Sequence, residues 1–367
     1  MGNTVPKTWE PRATTATIDP IDPGFRPVLV EGVSFVREGA SIVAVKLVDR
    51  AGGESGGIDP NLVATEVVVA LDDQRREDLT AIHAALDGSR TVAQIAADGG
   101  ARGDDYRKLI QSLFEQAVVR DAASRPVPPL SFYRHIVNLG RRVMLRQLDT
   151  SPMAQHMVRG TLNKRLVVGY LVEEYHLVAS AASHISPIIT ATDNERLRMM
   201  FCDYLGGEYW HCLLLKKGLL AAGISEDELE AADPLAGTLA VINLQRHIAR
   251  TDILAYSACL SINEGGDQRS ATAFEQMYDL LTRFVPPEAL APSREHAVLD
   301  FEDAHETLGA EPFVEELALS AARQRAIYRA VRARIHTQGE QHREMAAFYG
   351  APDGPLVHSY DPGRSRT

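Results

Sequence analysis

From residue 131 to residue 348 the sequence shows no strand-like alternation, and its Gly and Pro clusters fall only between runs of helical periodicity. A stretch of that length can bury its apolar surface only by packing helix against helix. The chain has 367 residues, 45% hydrophobic and 24% charged, which suits two domains of ordinary size. A net charge of −11 repels phosphate backbones, so no nucleic-acid partner is expected. Cys202, Cys212 and Cys259 form no C-x-x-C pair, which fits a reducing compartment. No apolar run approaches the roughly 20 residues needed to span a bilayer. The expected setting is cytoplasmic, with no membrane partner.

The segment before residue 131 reads differently. Residues 1–24 carry Pro6, Pro11, Pro20 and Pro23 and read as a flexible arm. Short β-type runs follow at Val28–Val30, Val33–Val36, Ile42–Val48 and Val67–Leu71, with hairpin-like signals at Glu31-Gly32 and Glu38-Gly39. Helical spacing then takes over at Leu79, Ile82, His83 and Leu86 and stops at Asp87-Gly88. Thr91 is a good N-cap for a short helix through Ile95, and Tyr106, Leu109, Ile110, Leu113 and Phe114 form a third apolar stripe. Residues 25–121 therefore read as a small winged-helix-like α+β domain. A Pro-punctuated linker (122–130), a helical domain (131–348) and a tail (349–367) complete a mainly α chain.

Unusual polar residues mark the helical part. Glu173, Glu174, His176 and His184 interrupt an apolar helix expected over Leu166–Ile189, and a carboxylate there is costly to bury unless paired or metal-bound. At about 100° per residue Glu173 and His184 share a face, and a stop or kink is expected near Pro187. A second helix, Glu195–Leu220, carries Glu208-x-x-His211. That spacing sets carboxylate and imidazole on one turn, as in helical di-iron carboxylate proteins. Alone, such a pair is also a common surface motif. A third helix carries His296-x-x-x-Asp300-x-x-Asp303 on one face and Glu302-x-x-His305 on the opposite face. These imidazole and carboxylate types suit iron or manganese. His336, Glu340 and His342, on a very basic late helix, read as surface residues.

Two resemblances add to this. The hairpin at Gly32–Leu47 and the run Asp87-Gly88-Ser89-Arg90-Thr91-Val92-Ala93-Gln94-Ile95 resemble the peptide-recognition domain of ribosomal-peptide tailoring systems. That likeness implies a leader peptide added as a strand beside the hairpin. Residues 130–345 resemble the haem-oxygenase-like di-iron oxidase and oxygenase superfamily, related to pyrroloquinoline-quinone synthase and thiaminase II. This rests on Leu171–His176, Ser183–Pro187, Glu208–His211 and His296-x-x-x-Asp300, with Glu174 lying 34 residues before Glu208. The resemblance implies a haem-oxygenase-like bundle whose metal ligands are Glu174, His184, Glu208, His211, His296 and Asp300. Glu173, Asp303 and His305 stand as further ligands or supports, and Tyr175, Tyr204 and Tyr209 as pocket walls. Asp303 departs from the family pattern, which has a histidine there, and this places the second iron in question.

The implied function is O₂-dependent oxidation, with two iron ions, of a peptide or amino-acid-derived substrate, such as a ribosomally made precursor. An external electron donor and a homodimer are compatible with it. Two other classes stay open: a metal-free member, either a cofactorless oxidase or a thiaminase-like hydrolase, and a non-enzymatic binding or regulatory protein.

Overall fold

The computed structural model describes residues 12–13, 16, 19–30, 33–47, 68–149, 151–264, 277–302 and 305–360. Thr91 accepts from Gln94 N while the Gln94 side chain returns the bond, a capping box that starts α2 (Val92–Asp98). Asp72 caps α1 (Asp73–Ile82) through Arg75 N, and α3 (Gly103–Glu115) follows. Around these helices lie β1 (Pro27–Leu29), β2 (Ser34–Glu38), β3 (Ser41–Lys46), β4 (Val68–Ala70) and β5 (Val119–Asp121). The hairpin β2–β3 turns at Gly39, whose φ of +60° suits a residue without Cβ.

Among the described residues the sheet order is β2-β3-β4, while β1 pairs antiparallel with β5, Leu29 opposite Val119. The expected hairpin between the first two runs is therefore not formed. Its Glu31-Gly32 signal lies outside the described residues. Residues 19–24 were expected in the flexible arm but are packed: Ile21 is buried and its N–H donates to Gln111 Oε1 at 2.8 Å. Ile21 and Phe25 supply the apolar cover that α3 needs on this side.

Helix α4 (Pro129–Asp149) begins inside the expected linker. Val127 pairs with Leu319, so the segment is bonded into the bundle. Along α4, His135 Nδ1 bonds Phe114 O at 2.8 Å, Asn138 donates to Glu115 O, and Arg142 donates to Ala117 O. His135 also stacks on Phe114 at 4.6 Å, and one apolar cluster runs from Ile21 and Phe114 through Phe132 to Phe201 and Ile335. The strand-containing region thus shares its core with the helices.

The bundle continues through α5 (Pro152–Val158), α6 (Lys164–Ala179), α7 (Ala181–Ala191), α8 (Glu195–Glu208), α9 (His211–Ala221) and α10 (Glu226–Glu230). Then come α11 (Ala236–Thr251), α12 (Ile253–Glu264), α13 (Pro287–Glu302), α14 (His305–Val314) and α15 (Ala321–Tyr349). The helix expected over 166–189 is two helices, broken at Ser180. Ser180 Oγ bonds Leu177 O and Ser183 Oγ bonds Ser180 O, both at 2.6 Å, so hydroxyls take over backbone carbonyls at the break. Pro187 lies within α7 and does not end it. The helix expected over 195–220 is likewise two, α8 and α9, joined at Tyr209-Trp210. Beyond α15 the tail lies against α6, where Arg165 donates to Pro355 O and Ala351 O. No helix among the described residues is long and apolar enough to cross a membrane.

Candidate metal centre

Helix α9 packs against both α6 and α13. Gly218 permits the second contact, since a Cβ there would overlap the Ala289 carbonyl of α13. Leu215 and Leu219 of α9 are buried, each contributing roughly 1.5–3 kcal/mol. The buried apolar residues of α8 belong to one core cluster and Leu219 of α9 to another. The Glu208–His211 joint falls at the boundary.

There Glu208, His211 and His296 come together, all buried, with donor atoms within 4.8 Å of one another. His211 Nδ1 lies 3.1 Å from Glu208 Oε2. An ionised carboxylate only accepts, so the imidazole donates from Nδ1. The His211 and His296 rings meet edge to face at 4.8 Å. Two imidazoles and one carboxylate, shielded from water, make the donor set that holds non-haem Fe(II). The residues present fit that ion.

Glu174 borders the group without joining it. Its Oε2 accepts from Ser293 Oγ at 3.0 Å, and Ser293 precedes His296 by one turn of α13. Burial pushes the Glu174 carboxyl up to about 7, against the opposing hydrogen bond from Ser293. Tyr278 OH stands 3.2 Å from Ser293 Oγ. The Glu174 charge, with burial, holds the Tyr170 hydroxyl well above its usual range. His184 does not join the group: its Nδ1 bonds Tyr256 OH at 2.9 Å. Burial lowers His184 to about 4, with Arg334 acting in the same sense and Glu208 against it.

Other expected site residues stand elsewhere. Glu173 faces away from the group: it accepts from Leu235 N at 3.1 Å and Tyr349 OH at 3.0 Å. The break at Ser180 removes the common face that a single helix would have given Glu173 and His184. Tyr204 is buried, and Tyr175 is half-buried beside Cys212 and Lys216. Tyr209 is 53% exposed and Trp210 62%, so Tyr209 walls no pocket; the joint turns both rings outward while Glu208 and His211 turn in. Asp303 lies outside the described residues, as do the side chains of Asp300 and His305. His342 is not a surface residue: it is half-buried, and burial with the nearby Arg334 lowers it to about 4. His336 and Glu340 are exposed as expected.

Ser293, Tyr278 and Tyr256 were not foreseen. Ser293 alone had a local signal, its i−3 position before His296; the two tyrosines arrive from distant helices.

No curated protein matches the chain. A solved domain of unknown function with a haem oxygenase-like fold, from Shewanella denitrificans, is 16% identical with a TM-score of 0.48, covering 59% of this chain and 95% of that one. Residues 168–339 match the family model described as iron-containing redox enzyme, a stretch that includes Glu174, Glu208, His211 and His296. Over this stretch the helical part of the chain is similar to iron-containing redox enzymes.

Proposed function

We propose that this chain is an iron-dependent oxidase or oxygenase that uses O₂ to oxidise a peptide or amino-acid-derived substrate. The observation that carries the reading is the buried group Glu208, His211 and His296. These three would hold one iron ion, and Glu174 and Asp300 are the residues proposed to extend the set to a second. Bound iron supplies the one-electron chemistry by which O₂ reacts with a closed-shell substrate. The chain does the rest. Burial of His211 and His296 keeps bulk water from the ligands, the Glu208 carboxylate orients His211 through Nδ1, and Ser293 holds Glu174 at the edge of the group. An external donor returns electrons between turnovers.

Anaerobic loading with Fe(II), followed by metal analysis and O₂ consumption, tests this. Wild type is expected to retain iron and consume O₂, and His211→Ala to do neither. No more than a trace of iron in wild type defeats the reading.

The peptide part of the proposal draws support from β2. It is an edge strand among the described residues, with four of its five residues exposed or nearly so, and such an edge accepts an extended segment by strand addition. A leader held there would raise the effective concentration of the attached residues at the metal group. Titration of the full chain with leader peptides encoded nearby tests it; no binding to any of them counts against a leader-guided substrate.

A further inference from the structure

Between Met199 and Leu213 every exposed position on α8 and α9 is uncharged: Met199, Cys202, Gly206, Gly207, Tyr209, Trp210 and Leu213. The buried positions Met200, Tyr204, Glu208, His211, Leu215 and Leu219 keep helical spacing across the joint, so the opposite, exposed face carries through it. At about 100° per residue, Met199, Cys202, Gly206, Trp210 and Leu213 lie within roughly 40° of one line. Gly206 and Gly207 are unexplained by the fold itself. Neither has positive φ, and nothing lies within 4 Å of a Cβ placed on either. Each costs its helix about 1 kcal/mol relative to alanine, and what two such glycines permit is close approach of another backbone.

The flanking charges identify that backbone. Glu195 and Lys217 are exposed, lie near the same line, and stand equally far on either side of Gly206; neither has an ion-pair partner among the described residues. A two-fold axis through Gly206 sets Glu195 of one copy opposite Lys217 of the other. The same axis sets Met199 opposite Leu213, Cys202 opposite Trp210, and Gly206 opposite itself. The stripe is complementary to its own reverse, as an isologous interface requires. We propose that α8 and α9 form the interface of an antiparallel homodimer centred on Gly206, with Trp210 as its anchor. The proposal does not depend on the metal chemistry.

Sedimentation of the full chain between about 0.1 and 50 µM tests it. A dimer is expected, and Trp210→Glu should weaken it by at least about 30-fold, as loss of an aromatic anchor does. Met199→Glu, remote from the proposed ligands, should also favour the monomer and guards against a folding defect at Trp210. In a Cys202→Ser background, Gly206→Cys should form an intermolecular disulfide far more readily than Asp193→Cys, which lies off the stripe. A monomer throughout the range overturns the proposal. So does a dimer indifferent to both glutamate substitutions, or one that cross-links no better at position 206 than at 193. A monomer whose Trp210 fluorescence shifts only when a peptide is added assigns the stripe to another occupant and likewise overturns it.

Discussion

The two sides of α6 carry consecutive glutamates in unlike surroundings. Glu173 is wholly buried and meets the backbone N–H of Leu235, the Tyr349 hydroxyl and a hydrogen bond from the Thr238 side chain. Gly169, one turn earlier, leaves the slot in which the Tyr349 ring lies, since a Cβ there would overlap it. Glu174 has one hydroxyl donor, Ser293, and faces the helix that brings His296. A carboxylate with three donors is a structural tie between helices; one with a single donor beside two imidazoles can exchange that donor for a cation. The type of residue is the same on both sides, so the count of donors distinguishes their roles.

The largest expected effect lies on the Glu174 side. His211→Ala should weaken Fe(II) binding at least about 100-fold. The metal-free protein should melt within about 3 °C of wild type, because the hydrogen bond to Glu208 that the substitution removes joins residues only three positions apart. Metal titration followed by colour or heat, with melting curves in parallel, checks both halves. A large loss of metal-free stability would erase the distinction between the two sides.

On the Glu173 side the converse holds. Gly169→Ala forces the Tyr349 ring from its slot and should cost about 1–3 kcal/mol of stability, with iron content per folded chain unchanged. Denaturant unfolding with metal analysis measures the pair of outcomes. Ser293→Ala is expected to be milder, lowering iron affinity about tenfold with little change in melting. If Ser293→Ala instead destabilises the fold as Gly169→Ala does, Glu174 is a second tie and not part of the metal group.

The contrast between Glu173 and Glu174 was only half legible in the sequence. Spacing marked Glu208, His211 and His296 because helical periodicity is a local property, and so is the Thr91 cap, whereas Glu174 stood out by its apolar neighbours and was implied as a ligand by the family resemblance. The breaks at Ser180 and at Tyr209-Trp210 were invisible: neither contains Gly or Pro, and Tyr209 and Trp210 keep helical dihedrals. Missing the first break put Glu173 and His184 on one face. The pairing of β1 with β5 and the arrival of Tyr278, Tyr256 and Tyr349 depend on contacts between distant segments, on which local pattern is silent.

The smallest effect is the most specific to Glu174. Its folded carboxyl is raised to about 7 from the usual 4.5, so the metal-free fold keeps a proton that the unfolded chain loses near 4.5. The resulting stabilisation is full below that lower value and is lost as pH rises through about 7. A cation requires the carboxylate, so below about 7 each binding event must release this proton. Stability of the metal-free protein and affinity for iron should therefore move in opposite directions. Between pH 7.5 and 6.5 the affinity should fall about threefold through a single group titrating near 7. Glu174→Gln should remove that part of the pH dependence, while Glu173→Gln should leave it in place and lower stability. If the affinity profile is unchanged in Glu174→Gln, the proton belongs to another group, and the two glutamates of α6 differ in structure alone.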